Sequence, residues 1–232
     1  MSSIKDRDIV KNIRETLGLS SDLPEQVSEA YVTQAKKYSL NTEFLSAKAK
    51  RARQSDLERH VKGLNEISAK LDTASRDDAD KYASEFRQLK VDETHLLNAA
   101  LFRAYHFENI SDLQSQLTMD TMSFLRLERD FGSFDEWQKD FIACGMSSRS
   151  GYVVTGFNTM LKRYLNFVVD IESVNVPIAT YPVIVLDVSE GAYYRDYLED
   201  RKTYIVAMMK ELNWDKIEDR FKRAEKLAKV FK

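Results

Sequence analysis

Apolar residues recur at helical spacing through the first half of the chain, where glycine and proline are scarce. This pattern predicts a series of amphipathic helices, because residues three and four apart share one helix face. The first apolar stripe lies inside a charged stretch and consists of Val61, Leu64, Ile67 and Leu71. A polar loop over residues 73–78 separates it from the next helix. That helix is marked by Tyr82, Phe86 and Leu89, and a further buried helix by Leu96, Leu97, Ala100, Leu101 and Tyr105.

Two more helix starts are predicted from serines that precede an acid or an amide by three positions. Ser111 with Gln114, and Ser133 with Glu136, fit the capping box, in which the serine hydroxyl caps a free backbone amide. Aromatic residues follow the second start and are expected to line one face of its helix. They are Phe134, Trp137 and Phe141.

From residue 151 to residue 188 the pattern changes to β-branched and aromatic runs. The runs cover residues 152–154, 164–171 and 181–188, with polar residues, glycine, asparagine and proline between them. They predict three short strands in an antiparallel sheet. Helix is predicted again after Asp187, and the last helix is basic with one apolar face. That face consists of Ile217, Phe221, Ala224, Leu227 and Phe231.

Helices followed by a small sheet with flanking helices predict an α+β fold. We expect an N-terminal helical hairpin domain, followed by a three-stranded antiparallel sheet flanked by helices. Residues 1–22 are predicted to form an N-terminal extension or docking helix, residues 23–110 the helical domain, and residues 111–232 the α/β domain. The acids Asp6 and Asp8 argue against a transit peptide in the first segment.

Charge restricts the partners that the chain is expected to bind. Lys and Arg number 35 against 37 Asp and Glu, and the net charge is -2, so extended contact with a phosphate backbone is not expected. Two basic segments leave an alternative open, since each is either a solvated helix face or a contact for RNA phosphates. They are residues 48–53 and the C-terminal set Lys216, Lys222, Arg223, Lys226 and Lys229. No apolar run approaches the roughly 20 residues that a membrane span needs.

Cysteine and histidine offer few candidates for metal or acid–base chemistry. Cys144 is the only cysteine, which excludes an intramolecular disulfide framework, and we interpret it as a small buried hydrophobic residue. His60 lies among charged residues, so a solvated helix face is favoured over an acid–base role. His95 is interpreted as structural, with a displaced metal ligand as the alternative. His106 is expected at the surface or at the edge of the core.

Several segments resemble the iron/manganese superoxide dismutases, in the order found in that family. Residues 129–136 (RDFGSFDE) and residues 186–194 (LDVSEGAYY) resemble two signature segments of the family. Residues 201–204 and 212–215 are similar to the elements that follow, and residues 61–65 (VKGLN) give a weaker match. The resemblance implies the superoxide dismutase fold over about residues 55–222.

The resemblance also implies four metal ligands, of which this sequence keeps one. Asp187 retains the carboxylate, whereas the signature histidine has become Gly191. The two N-terminal histidines fall at Ala52 and near Ala99. Ser189 replaces the signature tryptophan. We therefore expect no metal cofactor, no catalytic residues and no enzyme activity from this chain.

Two residues of the family's subunit interface are retained. Glu190 and Tyr194 imply pairing with a second superoxide-dismutase-like chain, as a homodimer or a heterodimer, with His60 among the groups that face Glu190. Metal-free relatives in mitochondrial ribosomes imply a structural subunit of the ribosomal small subunit in the mitochondrial matrix, with peripheral ribosomal RNA contact left open. The alternatives are an accessory subunit of another mitochondrial assembly, such as a respiratory-chain complex, and an active metal-dependent superoxide dismutase with an altered site.

Overall fold

A computed structural model of the chain describes residues 34–111 and 115–230. The N-terminal extension predicted over residues 1–22 lies outside the described residues, as do Phe231 and Gln114. The helix start predicted at Ser111 is wrong, because Ser111 is the C-cap of the helix Glu85–Ile110 and the next described helix begins at Met122. The described part contains ten regular elements, which run in the order α1, α2, α3, α4, β1, β2, β3, α5, α6 and α7. The predicted domain boundaries after residues 22 and 110 stay predictions.

Two long helices form an N-terminal hairpin. Helix α1 spans Ala47–Thr73 and helix α2 spans Glu85–Ile110, and the two pack against each other. Serine side chains start both helices, because each accepts a hydrogen bond from a backbone amide in the first turn, at 3.2 Å in both cases. The predicted stripe on α1 is confirmed at three positions that are buried, namely Val61, Leu64 and Leu71.

Helix α2 corrects two predictions. It is one continuous helix, where the sequence predicted two, and it begins after Tyr82, whose side chain is 80% exposed. The carboxylate of Asp80 accepts hydrogen bonds from the amides of Tyr82 and Ala83, which fixes a turn there and delays the helix to Ser84. The predicted burial of Leu97 and Leu101 is also wrong, since both are exposed.

Helices α3 and α4 follow as a short pair. Helix α3 spans Met122–Phe131 and helix α4 spans Phe134–Ser147. Gly132 ends α3 with φ near +90°, a backbone conformation that glycine adopts without steric cost. The capping-box prediction at Ser133 is confirmed, because its hydroxyl accepts from the Glu136 amide at 3.1 Å. Trp137 and Phe141 are buried as predicted.

The sheet has the predicted strands in an antiparallel arrangement. Strands β1 (Gly151–Asn158), β2 (Arg163–Asp170) and β3 (Thr180–Asp187) lie in the order β2-β1-β3. Val154 of the central strand lies opposite Phe167 on one side and Val185 on the other. A register shift at Thr155/Gly156 separates two runs of β1–β3 pairing. Every residue of β1 is buried, as a central strand covered on both faces requires.

Three further helices complete the fold and anchor the end of β3. Helix α5 spans Glu190–Tyr197, helix α6 spans Arg201–Lys210, and helix α7 spans Trp214–Val230. The predicted apolar face of α7 is confirmed by burial of Ile217, Phe221 and Ala224. The α+β fold class is therefore confirmed. None of the described helices is long and apolar enough to cross a membrane.

Candidate functional site

The carboxylate of Asp187 is the centre of the candidate site. Asp187 is the last residue of β3 and is fully buried. Its Oδ1 accepts two hydrogen bonds from Ser189, one from the backbone amide at 3.0 Å and one from the hydroxyl at 2.6 Å. Its backbone carbonyl accepts from the Tyr204 hydroxyl at 2.7 Å. These contacts fix the carboxylate at the junction of the sheet with α5 and α6.

Two arginines from the helical hairpin approach the other carboxylate oxygen. Arg53 Nη1 of α1 lies 3.7 Å from Asp187 Oδ2, and Arg103 Nη1 of α2 lies 3.6 Å from the same atom. The side chains of Arg53 and Arg103 are only 11% and 4% exposed. The hairpin thus places two guanidinium groups against one buried carboxylate.

Two more acids balance the charge of the arginines. Asp56 Oδ2 lies 3.2 Å from Arg53 Nη1 and 3.4 Å from Arg103 Nη1, and so bridges the two guanidinium groups. Glu172, in the loop after β2, lies 3.9 Å from Arg103 Nη2. Its φ of 52° is in the left-handed region, which costs energy for a residue other than glycine. We call Arg53, Asp56, Arg103, Glu172 and Asp187 the arginine–carboxylate cluster.

The pKa shifts in the cluster follow from burial and from charge. Burial alone would raise the pKa of Asp187, but Arg103 and Arg53 outweigh it and hold that pKa below its usual value. Glu172 is more distant from the arginines, so burial and the Asp187 charge raise its pKa. The acids Asp187 and Asp56 help to raise the pKa of Arg103 against the opposing effect of burial. The cluster therefore contains fixed charges of both signs.

Gly191 is sterically linked to Arg53. A Cβ atom at position 191 would lie 3.0 Å from Arg53 Cζ and would overlap Arg53 Nη2. The Arg53 guanidinium is held by Asp56 and Asp187, so it cannot move away without loosening both ion pairs. The space that a side chain at position 191 would take is therefore filled by Arg53.

The prediction for one histidine, His106, is wrong. His106 was expected at the surface or core edge, yet it is 2% exposed, and its Nδ1 accepts from the Asp187 amide at 3.4 Å. Burial lowers its pKa to about 4, so the imidazole is neutral. His60 was expected on a solvated face and is half-buried, and burial and the nearby Arg103 charge lower its pKa to about 4. His95 lies near the same region, with Nδ1 at 3.3 Å from the Ser173 hydroxyl.

Comparisons with known proteins identify the fold family. The C-terminal domain of the iron/manganese superoxide dismutases matches residues 120–220. The chain is 31% identical to the superoxide dismutase [Fe] of Aquifex pyrophilus, over 75% of this chain and 84% of the relative. The chain belongs to the iron/manganese superoxide dismutase family. It is also 30% identical to the superoxide dismutase [Mn] of Mycolicibacterium smegmatis, over 71% of this chain and 78% of the relative.

Family membership corrects one expectation from the sequence. We expected that the chain is not an enzyme, because three of the four ligand positions implied by the resemblance are lost. The relatives are named superoxide dismutases and match most of the chain, so it belongs to a family of enzymes. That expectation is therefore wrong.

The residues at the site do not fit the iron or manganese ion that the family name implies. Among residues 34–111 and 115–230, no three His, Cys, Asp or Glu side chains are grouped so that they could hold a metal. Five buried polar atoms lack a hydrogen-bond partner in that part of the chain, and they lie on Arg53, His60, Arg103, Tyr152 and Asp187. Two of the five are guanidinium Nε–H groups, which have no lone pair to offer and carry the wrong charge for a cation.

The residues predicted from the resemblance take different places in the superoxide dismutase fold. Ala52 precedes Arg53 on α1, and Ala99 is fully buried on α2. Glu190 and Tyr194 lie on α5, next to Gly191, and both side chains are exposed. Position 191 thus adjoins the arginine–carboxylate cluster through Arg53, and the two predicted interface residues are exposed.

Sequence reasoning missed the arginines as members of the site. Arg53 was placed within a basic segment, and Arg103 was not singled out. The sequence nevertheless contains a pattern that could have identified each arginine as part of the site. Arg53, Asp56 and His60 recur at positions i, i+3 and i+7, which lie on one helix face. Arg103 follows an apolar run on α2, where an uncompensated charge would be costly.

Proposed function

We propose that this chain is a superoxide-dismutase-like subunit that pairs with a second chain of the same fold inside a larger assembly. The observation that supports the proposal is the filling of position 191, one of the ligand positions implied by the resemblance. Arg53 takes the space at position 191, while Glu190 and Tyr194 beside it stay exposed. A fold that keeps its core and this outer surface fits a role in which the surface binds partners. Whether the chain also catalyses superoxide dismutation is tested separately, by measuring superoxide removal.

The exposed end of α5 supports pairing. Tyr194 and Leu198 are 51% and 65% exposed, although both are large side chains. Within residues 34–111 and 115–230, neither the Glu190 carboxylate nor the Tyr194 hydroxyl has a hydrogen bond or an ion pair. A charged group buried at an interface needs a partner, so the second chain would offer a lysine, an arginine, a backbone donor or His60 opposite Glu190.

The assembly that we propose is the small subunit of the mitochondrial ribosome, and the location is the mitochondrial matrix. The support is the analogy with metal-free relatives in that particle, together with the arginine-filled site. Affinity purification of the tagged chain tests whether it belongs to this assembly. Ribosomal RNA and small-subunit proteins should be recovered with it, whereas recovery of respiratory-chain enzymes would favour the alternative assembly.

Pairing is tested by charge reversal on α5. Glu190→Lys should weaken association, by several kcal/mol if the carboxylate pair is desolvated. Glu128→Lys is the matched control, because Glu128 is also exposed and lies on α3 rather than on α5. Sedimentation at micromolar concentration measures a homodimer, and crosslinking in the native assembly measures a heterodimer. A monomer in solution, with no related chain crosslinked near Tyr194, would refute pairing.

Superoxide dismutation is the second candidate function, because the relatives reported above are named superoxide dismutases. Purified protein is assayed for superoxide removal before and after incubation with iron or manganese, and its metal content is measured by elemental analysis. From the charges at the site we expect far less than one metal per chain. Turnover together with about one metal per chain would favour this candidate and refute our account of the site.

A further inference from the structure

A basic groove lies between the chain segment before α1 and the start of α7. It has a volume of about 370 Å³. Five cationic side chains line it against two acidic ones, Glu108 and Asp219. The cations are Lys36, Lys37, Lys216, Arg220 and Arg223. We call this feature the α7 groove. Its excess of positive charge contrasts with the net charge of -2 of the whole chain.

One of the two acids of the α7 groove, Glu108, is already neutralised, whereas the other, Asp219, is exposed on α7. Arg220 is buried and donates to Glu108 Oε2 at 2.7 Å, and it also donates to two backbone carbonyls and to Asn109. Lys36 Nζ lies 3.8 Å from the other oxygen of Glu108. The contacts of Arg220 therefore stabilise the fold. Because Glu108 is paired with Arg220 and Lys36, it does little to neutralise the other cations of the groove.

Three cations of the groove remain available to a ligand. Lys37, Lys216 and Arg223 are exposed, and within the described part of the chain none of them forms an ion pair. Lys216 and Arg223 are seven residues apart on α7, so they lie on one face two turns apart. Lys226 follows on the same side, three residues beyond Arg223. These positions extend the positive charge along the helix.

We propose that the α7 groove binds the phosphate backbone of an RNA strand. Lysine and arginine are the side chains that contact phosphates, and a line of them on one helix fits a linear polyanion. Tyr38 is the one aromatic residue at the groove, and few apolar side chains line it, which disfavours insertion into a bilayer. The choice of RNA over other polyanions rests on the proposed function.

The test measures binding of a labelled single-stranded RNA to the full chain by fluorescence anisotropy at several salt concentrations. Contacts with Lys37, Lys216, Arg223 and Lys226 predict a slope of about −3 in log K against log salt. Loss of two contacts in Lys216→Glu/Arg223→Glu should lower affinity about 25-fold at ~0.1 M salt, since each contact contributes about 0.7 log units there. The control is Lys202→Glu/Lys210→Glu, which changes the net charge equally on exposed positions of α6.

The outcomes separate this inference from the proposed function. A control variant that stays within about twofold of the unmodified chain supports the groove, and an equal loss in both variants refutes it. Tighter binding to polyglutamate or to vesicles of phosphatidylcholine and phosphatidylserine than to RNA also refutes it. If the groove variant loses RNA affinity but still copurifies with ribosomal proteins, both proposals stand. If the unmodified chain binds RNA but does not copurify, only the proposed assembly fails.

Discussion

The steric link between Arg53 and Gly191 gives a prediction that a double-mutant cycle can test. Gly191→Ala adds a Cβ that overlaps the guanidinium, which we expect to cost about 1–3 kcal/mol as overpacking. Alanine favours a helix over glycine by about 0.5–1 kcal/mol, so the net loss in stability is about 0–2.5 kcal/mol. The guanidinium can yield only by leaving Asp56 and Asp187.

When Arg53 is replaced, the effect of Gly191→Ala on stability is expected to change sign. Arg53→Met breaks a buried ion pair, and we expect a cost of about 3 kcal/mol, at the low end of the usual range, because Arg103 still faces Asp187. In this background the new Cβ meets no guanidinium, so Gly191→Ala should be neutral or stabilise by about 0.5–1 kcal/mol. The coupling between the two positions is then about 2 kcal/mol.

Urea unfolding followed by tryptophan fluorescence measures the stability of the unmodified chain, the two single variants and the double variant at one protein concentration. Arg51→Met is the matched control, because Arg51 is exposed on the same helix and should change stability by less than about 0.5 kcal/mol. Its coupling to Gly191→Ala should be close to zero. A coupling below about 0.5 kcal/mol between positions 53 and 191 would contradict the steric link.

Three other predictions concern single positions. Ser189→Ala removes the 2.6 Å hydrogen bond to Asp187 and should reduce the free energy of unfolding by about 1.5–3 kcal/mol in the same urea assay. Thr155→Val removes the acceptor of the buried Trp137 indole N–H and should cost about 1–3 kcal/mol, with a change in tryptophan fluorescence. Burial raises the pKa of Cys144 to about 11, so the thiol is protonated at neutral pH. Its alkylation by iodoacetamide should therefore be slow at pH 8 and rise steeply as pH increases toward 11; a rate equal to that of a free thiol would contradict this.

Much of the fold could be predicted because its signals are local. The three strands are runs of β-branched and aromatic residues bounded by turn residues, and each strand was found within a few residues of its true limits. The start of α2 was misplaced because the Asp80 carboxylate caps a turn, which periodicity does not reveal. Cys144 was expected to be buried and is half-buried, because it lies on the flank of α4.

The candidate site was only partly predictable, because its key contacts join distant segments. Asp187 could be found from the signature segment, whereas its partners Arg53 and Arg103 lie on two other helices. The charge of Arg53 resembled that of its solvated neighbours in residues 48–53. Only the tertiary structure shows that this one arginine turns inward. His106 was misplaced for the same reason, since the residues that bury it are far away in sequence.

The glycine at position 191 and the arginine at position 53 depend on each other. A histidine at 191 needs space that the Arg53 guanidinium fills, so the two side chains exclude each other. A buried Asp187 left without a cation would be costly, and the arginines provide a positive charge built into the chain. Gly191→His would therefore place an imidazole against the Arg53 guanidinium. A histidine at position 191 is accommodated only if Arg53 is removed first, and the positive charge that Asp187 would lose then has to be replaced.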